Sequence, residues 1–167
     1  MTVLKLVFYP DKRLKEVAEP VETITEDVLT SIRDMIDTVK VYRAHGLAAP
    51  QVGINKRIFI LNTDDKPQVF INPKILDKSA EMIKMKEGCL SFPGVEEIID
   101  RHAEIRITGL DEQCEERIFD LDELDSVAAQ HEMDHLDGIL FIDHVSQLKR
   151  RYMLKQLEKN KKKYKLE

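Results

Sequence analysis

The chain has 167 residues, a formal net charge of −5, two cysteines and 43% hydrophobic residues. That length suits one domain with a core of its own; two cysteines are too few for a secreted disulfide framework, and no apolar run could cross a bilayer. The charge is uneven: residues 146–167 carry nine Lys or Arg against Glu158 and Glu167, a local +7, leaving an acidic body and a basic tail suited to a polyanionic partner.

The first nine residues hold a short apolar run broken by Lys5, neither a signal peptide nor a span, so a cytoplasmic protein is expected. Thr23-Ile24-Thr25-Glu26 fits a capping box, and Val28, Ile32, Met35, Val39 and Tyr42 recur at spacings of four and three, predicting an amphipathic helix from about 25 to 43. Next comes Gly46-Leu47-Ala48-Ala49-Pro50-Gln51-Val52-Gly53, a small-residue turn that lets backbone approach a ligand closely. Gln51 is its only polar side chain. The amide offers donors to an oxygen that becomes negative during a reaction, although a plain loop would read the same way.

Residues 57–61 and 69–73, separated by Asn62 to Pro67, predict a hairpin. Further strands are expected from Ile98 to Ile107 and at 117–119. Between them lies Glu87-Gly88-Cys89-Leu90-Ser91, where a thiolate with room around it could bind a metal, or a small residue could simply be buried. Cys114 stands among Asp111, Glu112, Glu115 and Glu116, which oppose thiolate formation.

The most informative stretch is Gln130-His131-Glu132-Met133-Asp134-His135-Leu136. On a helix, residues four apart differ by roughly 6 Å of rise and about 40° of rotation, so His131 and His135 share a face and can grip one metal ion. Glu132 points elsewhere, but can reach a water at that metal and take its proton. A helix whose histidines merely face solvent is the plainer alternative.

Three stretches, at 46–51, 87–91 and 130–136, resemble the three signature motifs of peptide deformylase, in the family's order. The resemblance runs to about residue 150 and implies an α+β fold: antiparallel β-sheets around a central metal-binding helix, with an N-terminal amphipathic helix and a basic C-terminal helix. A single catalytic domain over 1–167 is expected, about 146–167 forming that last helix. The resemblance implies one divalent metal held by Cys89, His131 and His135, with Fe2+ the native ion and Zn2+, Ni2+ or Co2+ able to substitute. It implies attack by the metal's hydroxide on the formyl group of N-terminal formylmethionine, with Glu132 as general base and acid. The Gln51 amide and the Leu90 backbone N–H would hold the oxyanion. Substrate-binding positions implied are the backbone of His45, Gly46 and Gly88, with Leu124 and Val127 lining the methionine pocket. The partners implied are N-formylmethionyl nascent chains and, through the basic helix with Leu148, Tyr152 and Leu157, the ribosome; neither a membrane nor DNA is expected. Truncation after about 146 is expected to leave turnover of a short peptide intact.

The chain departs from the family's pattern at Ala44, at His45 and at Glu96. Ala44 stands for a glycine and requires a negative φ; His45 stands for an apolar residue and would line the pocket or point to water; Glu96 stands near a basic or aromatic position associated with the peptide. Two other readings stay open. A thermolysin-type peptidase would take Glu158 as its third ligand, and a ribosome-associated module would bind metal without turnover.

Overall fold

Ile58-Phe59-Ile60-Leu61 is apolar without alternation because both faces of its strand are covered. The computed structural model describes residues 2–164, with the backbone alone for Tyr164; Met1 and residues 165–167, including Lys165 and Glu167 of the basic tail, lie outside the described residues. Helix α1 (Glu26–Val41) is followed by strands β1 (Gly46–Ala48), β2 (Ile58–Thr63), β3 (Lys66–Lys78), β4 (Met82–Gly88), β5 (Glu96–His102), β6 (Glu104–Leu110) and β7 (Glu116–Asp122), then helices α2 (Glu123–Leu136) and α3 (Gln147–Tyr164). Five strands form an antiparallel sheet in the order β1-β2-β3-β6-β7, while β4 and β5 form a separate ribbon.

Side chains along a strand alternate between faces. On one face Ile58, Ile60, Val69 and Ile71 pack against Ile32, Met35 and Val39 of α1. On the other, Phe59, Leu61, Phe70 and Ile107 pack against Ala129 and Leu136 of α2, with Phe59 stacked on its register partner Phe70 at 4.6 Å. Each such fully buried side chain contributes about 1.5–3 kcal/mol relative to exposure. Helix α2 is therefore held in place before any ligand binds.

Helix α1 begins at Glu26, close to the expected start, but its cap is Thr25 and not Thr23 of the expected capping box: the Thr25 side chain accepts from the Val28 N–H. After its end, the left-handed φ of 51° falls on Arg43, not on Ala44, so the methyl group of Ala44 meets no such barrier. The predicted hairpin is present with longer arms, turning at Asp64 and Asp65, both with positive φ as a tight hairpin turn requires.

Three expectations need correction. The single strand expected over 98–107 is two, because at Ala103 the chain changes sheets: its N–H donates to Glu81 O and its carbonyl accepts from Glu123 N. Strand β4 was not expected, its alternation being obscured by Glu87, a carboxylate on the buried face. In α3, Met153 and Leu157 are buried among Phe92, Val95 and Phe141, whereas Leu148 and Tyr152 are exposed. The helix thus docks on the segment that follows Cys89, and Asn160 Nδ2 donates to Pro93 O at 3.0 Å.

Candidate metal centre and cleft

Helix α2 is unusual in burying its polar residues: Ser126, Gln130, His131, Glu132 and His135 are all nearly inaccessible. Such groups need partners. Gln130 is pinned to the end of β5, donating to His102 O at 2.8 Å and accepting from His102 N at 3.1 Å, which fixes the helix against the ribbon that leads to Cys89.

The two histidines are oriented differently. His131 Nδ1 lies 2.8 Å from Glu87 Oε2; since a carboxylate only accepts, Nδ1 carries the proton and Nε2 is left for a metal. Glu87 in turn accepts two bonds from Arg101, at 2.7 and 3.0 Å; Arg101 also donates to Asp134 at 2.6 Å, and His144 Nε2 meets Asp134 at 2.7 Å. His135 Nε2 lies 3.3 Å from Cys89 Sγ. One donor atom from each of Cys89, His131 and His135 fits within 4.8 Å of the others, a cluster suited to one ion. Tetrahedral bonds of about 2.0–2.3 Å put ligand atoms roughly 3.5 Å apart, so these residues fit a metal.

Electrostatics agree with that fit. Burial opposes charge on His131, but the Cys89 sulfur and the Glu87 and Glu132 carboxylates outweigh it and hold its pKa well above the usual value. Burial and the positive charge of His131 push His135 well below its usual value. One charged imidazole among these donors is favoured and a second is opposed. Burial also raises Glu87, yet its bonds and charge pairing with His131 and Arg101 prevail and leave it at about 2. For Glu132 the balance is reversed: burial outweighs the opposing pull of His131, Arg101 and the Ala48 N–H and lifts its carboxyl to about 7.

Glu132 lies directly on Gly46, where an added Cβ would stand 2.5 Å from Oε1. Its Oε2 is buried and takes no hydrogen bond from the described residues, leaving an oxygen free for a proton from water or substrate. Gln51 is buried too, in a short 3-10 turn (Ala49–Val52) rather than an open loop. Its Oε1 accepts the Ala48 N–H at 2.8 Å, which aims Nε2 toward Cys89 Sγ and Ser91 Oγ, each at 3.4 Å.

Gln51, Cys89, Leu90, His131 and Glu132 line one cleft of about 670 Å3, together with His45, Gly46, Gly88, Leu124 and Val127. Val127 is buried and Leu124 half exposed. Strand β1 is the sheet's free edge beside this cleft. Because His45 O accepts from Asn62 N, the 45/62 pair is the hydrogen-bonded one, and antiparallel alternation turns the backbone of Gly46 outward. The His45 carbonyl expected to bind peptide is therefore engaged by β2. The His45 ring does not simply point to water, since Nε2 meets Asp125 Oδ1 at 2.6 Å. Glu96 pairs with Lys86 at 2.9 Å on the exposed rim. Glu158 is exposed on α3, outside the Cys89, His131 and His135 cluster, which removes the thermolysin-type ligand set. Cys114 is exposed in the turn between β6 and β7.

Arg101 and His144 were missed from sequence, and Asp134 was read only as part of the stretch 130–136. Glu87 was visible only as the residue before Gly88.

A family model for polypeptide deformylase matches residues 3–151. A peptide deformylase of Alkalilimnicola ehrlichii is 40% identical over 163 residues, spanning 95% of this chain and 91% of that protein. Among solved structures, a peptide deformylase from Legionella pneumophila has a TM-score of 0.94 at 34% identity, covering 99% of each chain. The peptide deformylase of Ehrlichia chaffeensis in complex with actinonin has a TM-score of 0.91 at 39% identity, covering 98% of each.

Proposed function

Because the chain belongs to the polypeptide deformylase family, we propose that it is a single-domain metallohydrolase removing the formyl group from the N-terminal formylmethionine of newly made polypeptides. The observation that carries this reading is Glu132: a buried carboxyl, raised to about 7, in the wall of the cleft that also exposes Cys89, His131 and the Gln51 amide. A divalent ion held by Cys89, His131 and His135 would supply Lewis acidity, making a neighbouring water acidic enough to lose a proton near neutral pH. Fe2+ is proposed as the native ion; a thiolate with two imidazoles also accepts Zn2+, Ni2+ or Co2+.

Glu132 Oε2 takes the water's proton as the water oxygen attacks the formyl carbon. The formyl oxygen becomes anionic and is held by the Gln51 Nε2–H and the Leu90 backbone N–H. Glu132 then gives its proton to the leaving amine, and formate and a free N-terminus separate. The peptide adds to the free edge of β1 through the outward backbone of Gly46 and runs past Gly88, so most of its affinity is independent of sequence. Leu124 and Val127 receive the methionine side chain.

The exposed lysines and arginines of α3 are proposed to meet ribosomal RNA near the nascent chain. Salt-sensitive ribosome binding lost on reversing those charges is the expected result, and binding that survives the reversal would refute it.

The test of the activity is formate release from formyl-Met-Ala-Ser by protein purified anaerobically and loaded in parallel with each of the four ions. Release is expected with all, fastest with Fe2+. No release from fully metallated protein would overturn the reading in favour of a metal-binding module without turnover.

A further inference from the structure

His45 is fixed at both ends. Its carbonyl accepts from Asn62 N at 2.8 Å, while its ring nitrogen Nε2 meets Asp125 Oδ1 at 2.6 Å. Thr63 Oγ1 donates to the same carboxylate oxygen at 2.8 Å. A carboxylate oxygen accepts from both, so Nε2 carries the proton and Nδ1 is the nitrogen left for a ligand.

His45 lines the cleft together with Leu124, the residue next to Asp125, which its ring meets. Asp125 stands six residues before His131 on α2, roughly 9 Å along the helix axis. An unbranched side chain of methionine length, on a residue whose formyl group lies at the Cys89, His131 and His135 cluster, covers most of that distance. Run along α2 toward Asp125, such a side chain would bring its tip toward His45.

We propose that His45 is a specificity-determining residue and that Asp125 positions it, so that the pocket takes formylated residues whose methionine-length side chain ends in an amide, besides methionine itself. The proposal rests on the deformylase reading. An amide entering a wholly apolar pocket loses water and gains nothing in return. Beside His45 it finds a partner. Because an amide both donates and accepts, it can bond Nδ1 whether the ring is neutral or charged. Methionine needs no such partner, and the His45 side chain, 30% exposed, keeps access to water.

The test measures kcat/KM for formyl-Gln-Ala-Ser and formyl-Met-Ala-Ser with the parent, His45→Leu, Asp125→Ala and Asp125→Asn, at equal metal content. The Gln:Met ratio is expected to fall about five- to tenfold in His45→Leu and Asp125→Ala, chiefly through KM of the glutamine peptide. Asp125→Asn keeps an acceptor oxygen and should restore most of the ratio. A variant whose fold is merely damaged would slow both peptides alike, and a ratio unchanged within about twofold in His45→Leu overturns the proposal. Turnover of the methionine peptide alone by the parent also overturns it, leaving the deformylase reading intact. No turnover of either peptide by metallated parent overturns both.

Discussion

Replacing Arg101 by Met removes the guanidinium that bridges the buried Glu87 and the partly buried Asp134. The Arg101 and Glu87 side chains are 5% and 4% exposed, and the guanidinium makes three short bonds to Glu87 and Asp134 at 2.7, 3.0 and 2.6 Å. Taking one partner from a buried pair leaves the other charge uncompensated, at a cost of about 3–5 kcal/mol. The damage should not stop at stability. Without Arg101, Glu87 loses the pairing that helps hold it at about 2, binds a proton more readily, and ceases to fix the His131 tautomer. Loss of a group that orients a metal-binding histidine lowers metal affinity about 10–100-fold. Arg101→Lys keeps a charge but reaches one carboxylate at a time, so it should recover only part of each loss. Urea unfolding of the metal-free proteins and competition for Zn2+ against a chelator measure the two effects. An Arg101→Met protein within about 1 kcal/mol of the parent, binding metal equally well, would refute the idea that this network orients His131.

Glu132→Gln should stabilise the metal-free protein at neutral pH. The folded carboxyl, at about 7, lies above its unfolded value near 4.5, so its contribution is fully present below about 4.5 and lost as pH rises through about 7. The variant should gain up to about 3 kcal/mol at pH 8 and little at pH 4.5; equal unfolding curves at both would contradict this. Gly46→Ala forces a methyl group to within 2.5 Å of Glu132 Oε1, and should lower turnover roughly 100-fold with metal content unchanged; near-parental turnover would show that Glu132 need not lie there. Leu157→Ala should cost about 2–4 kcal/mol and Leu148→Ala about nothing, since one is buried and the other exposed; thermal unfolding distinguishes them. By the same packing, truncation after residue 146 should lower the melting temperature and slow turnover of short peptides, against the expectation from sequence; a truncated protein as stable as the parent would contradict it.

The chemistry was legible wherever it depended on near neighbours in sequence. His131 and His135 are one helical turn apart, and Gln51 is the lone polar group in a run of small residues. Contacts between distant elements were not legible. Nothing local to Arg101 announces that it will meet Glu87, 14 residues away, and Asp134, 33 residues away. In α3 the sequence offers two apolar stripes, Leu148 with Tyr152 and Met153 with Leu157, separated by roughly 140° around the helix; only the position of Phe92 decides which is buried. His45 was ambiguous for the same reason, because its partner Asp125 lies 80 residues on.

The most direct test compares the parent with Glu132→Gln, both purified anaerobically, with metal quantified and formate release from formyl-Met-Ala-Ser followed. Equal metal with release by the parent and a loss of at least about 100-fold in the variant is predicted, since the ligand atoms are untouched and only the proton carrier is gone. Equal metal with equal release would contradict the assignment of Glu132 as that carrier.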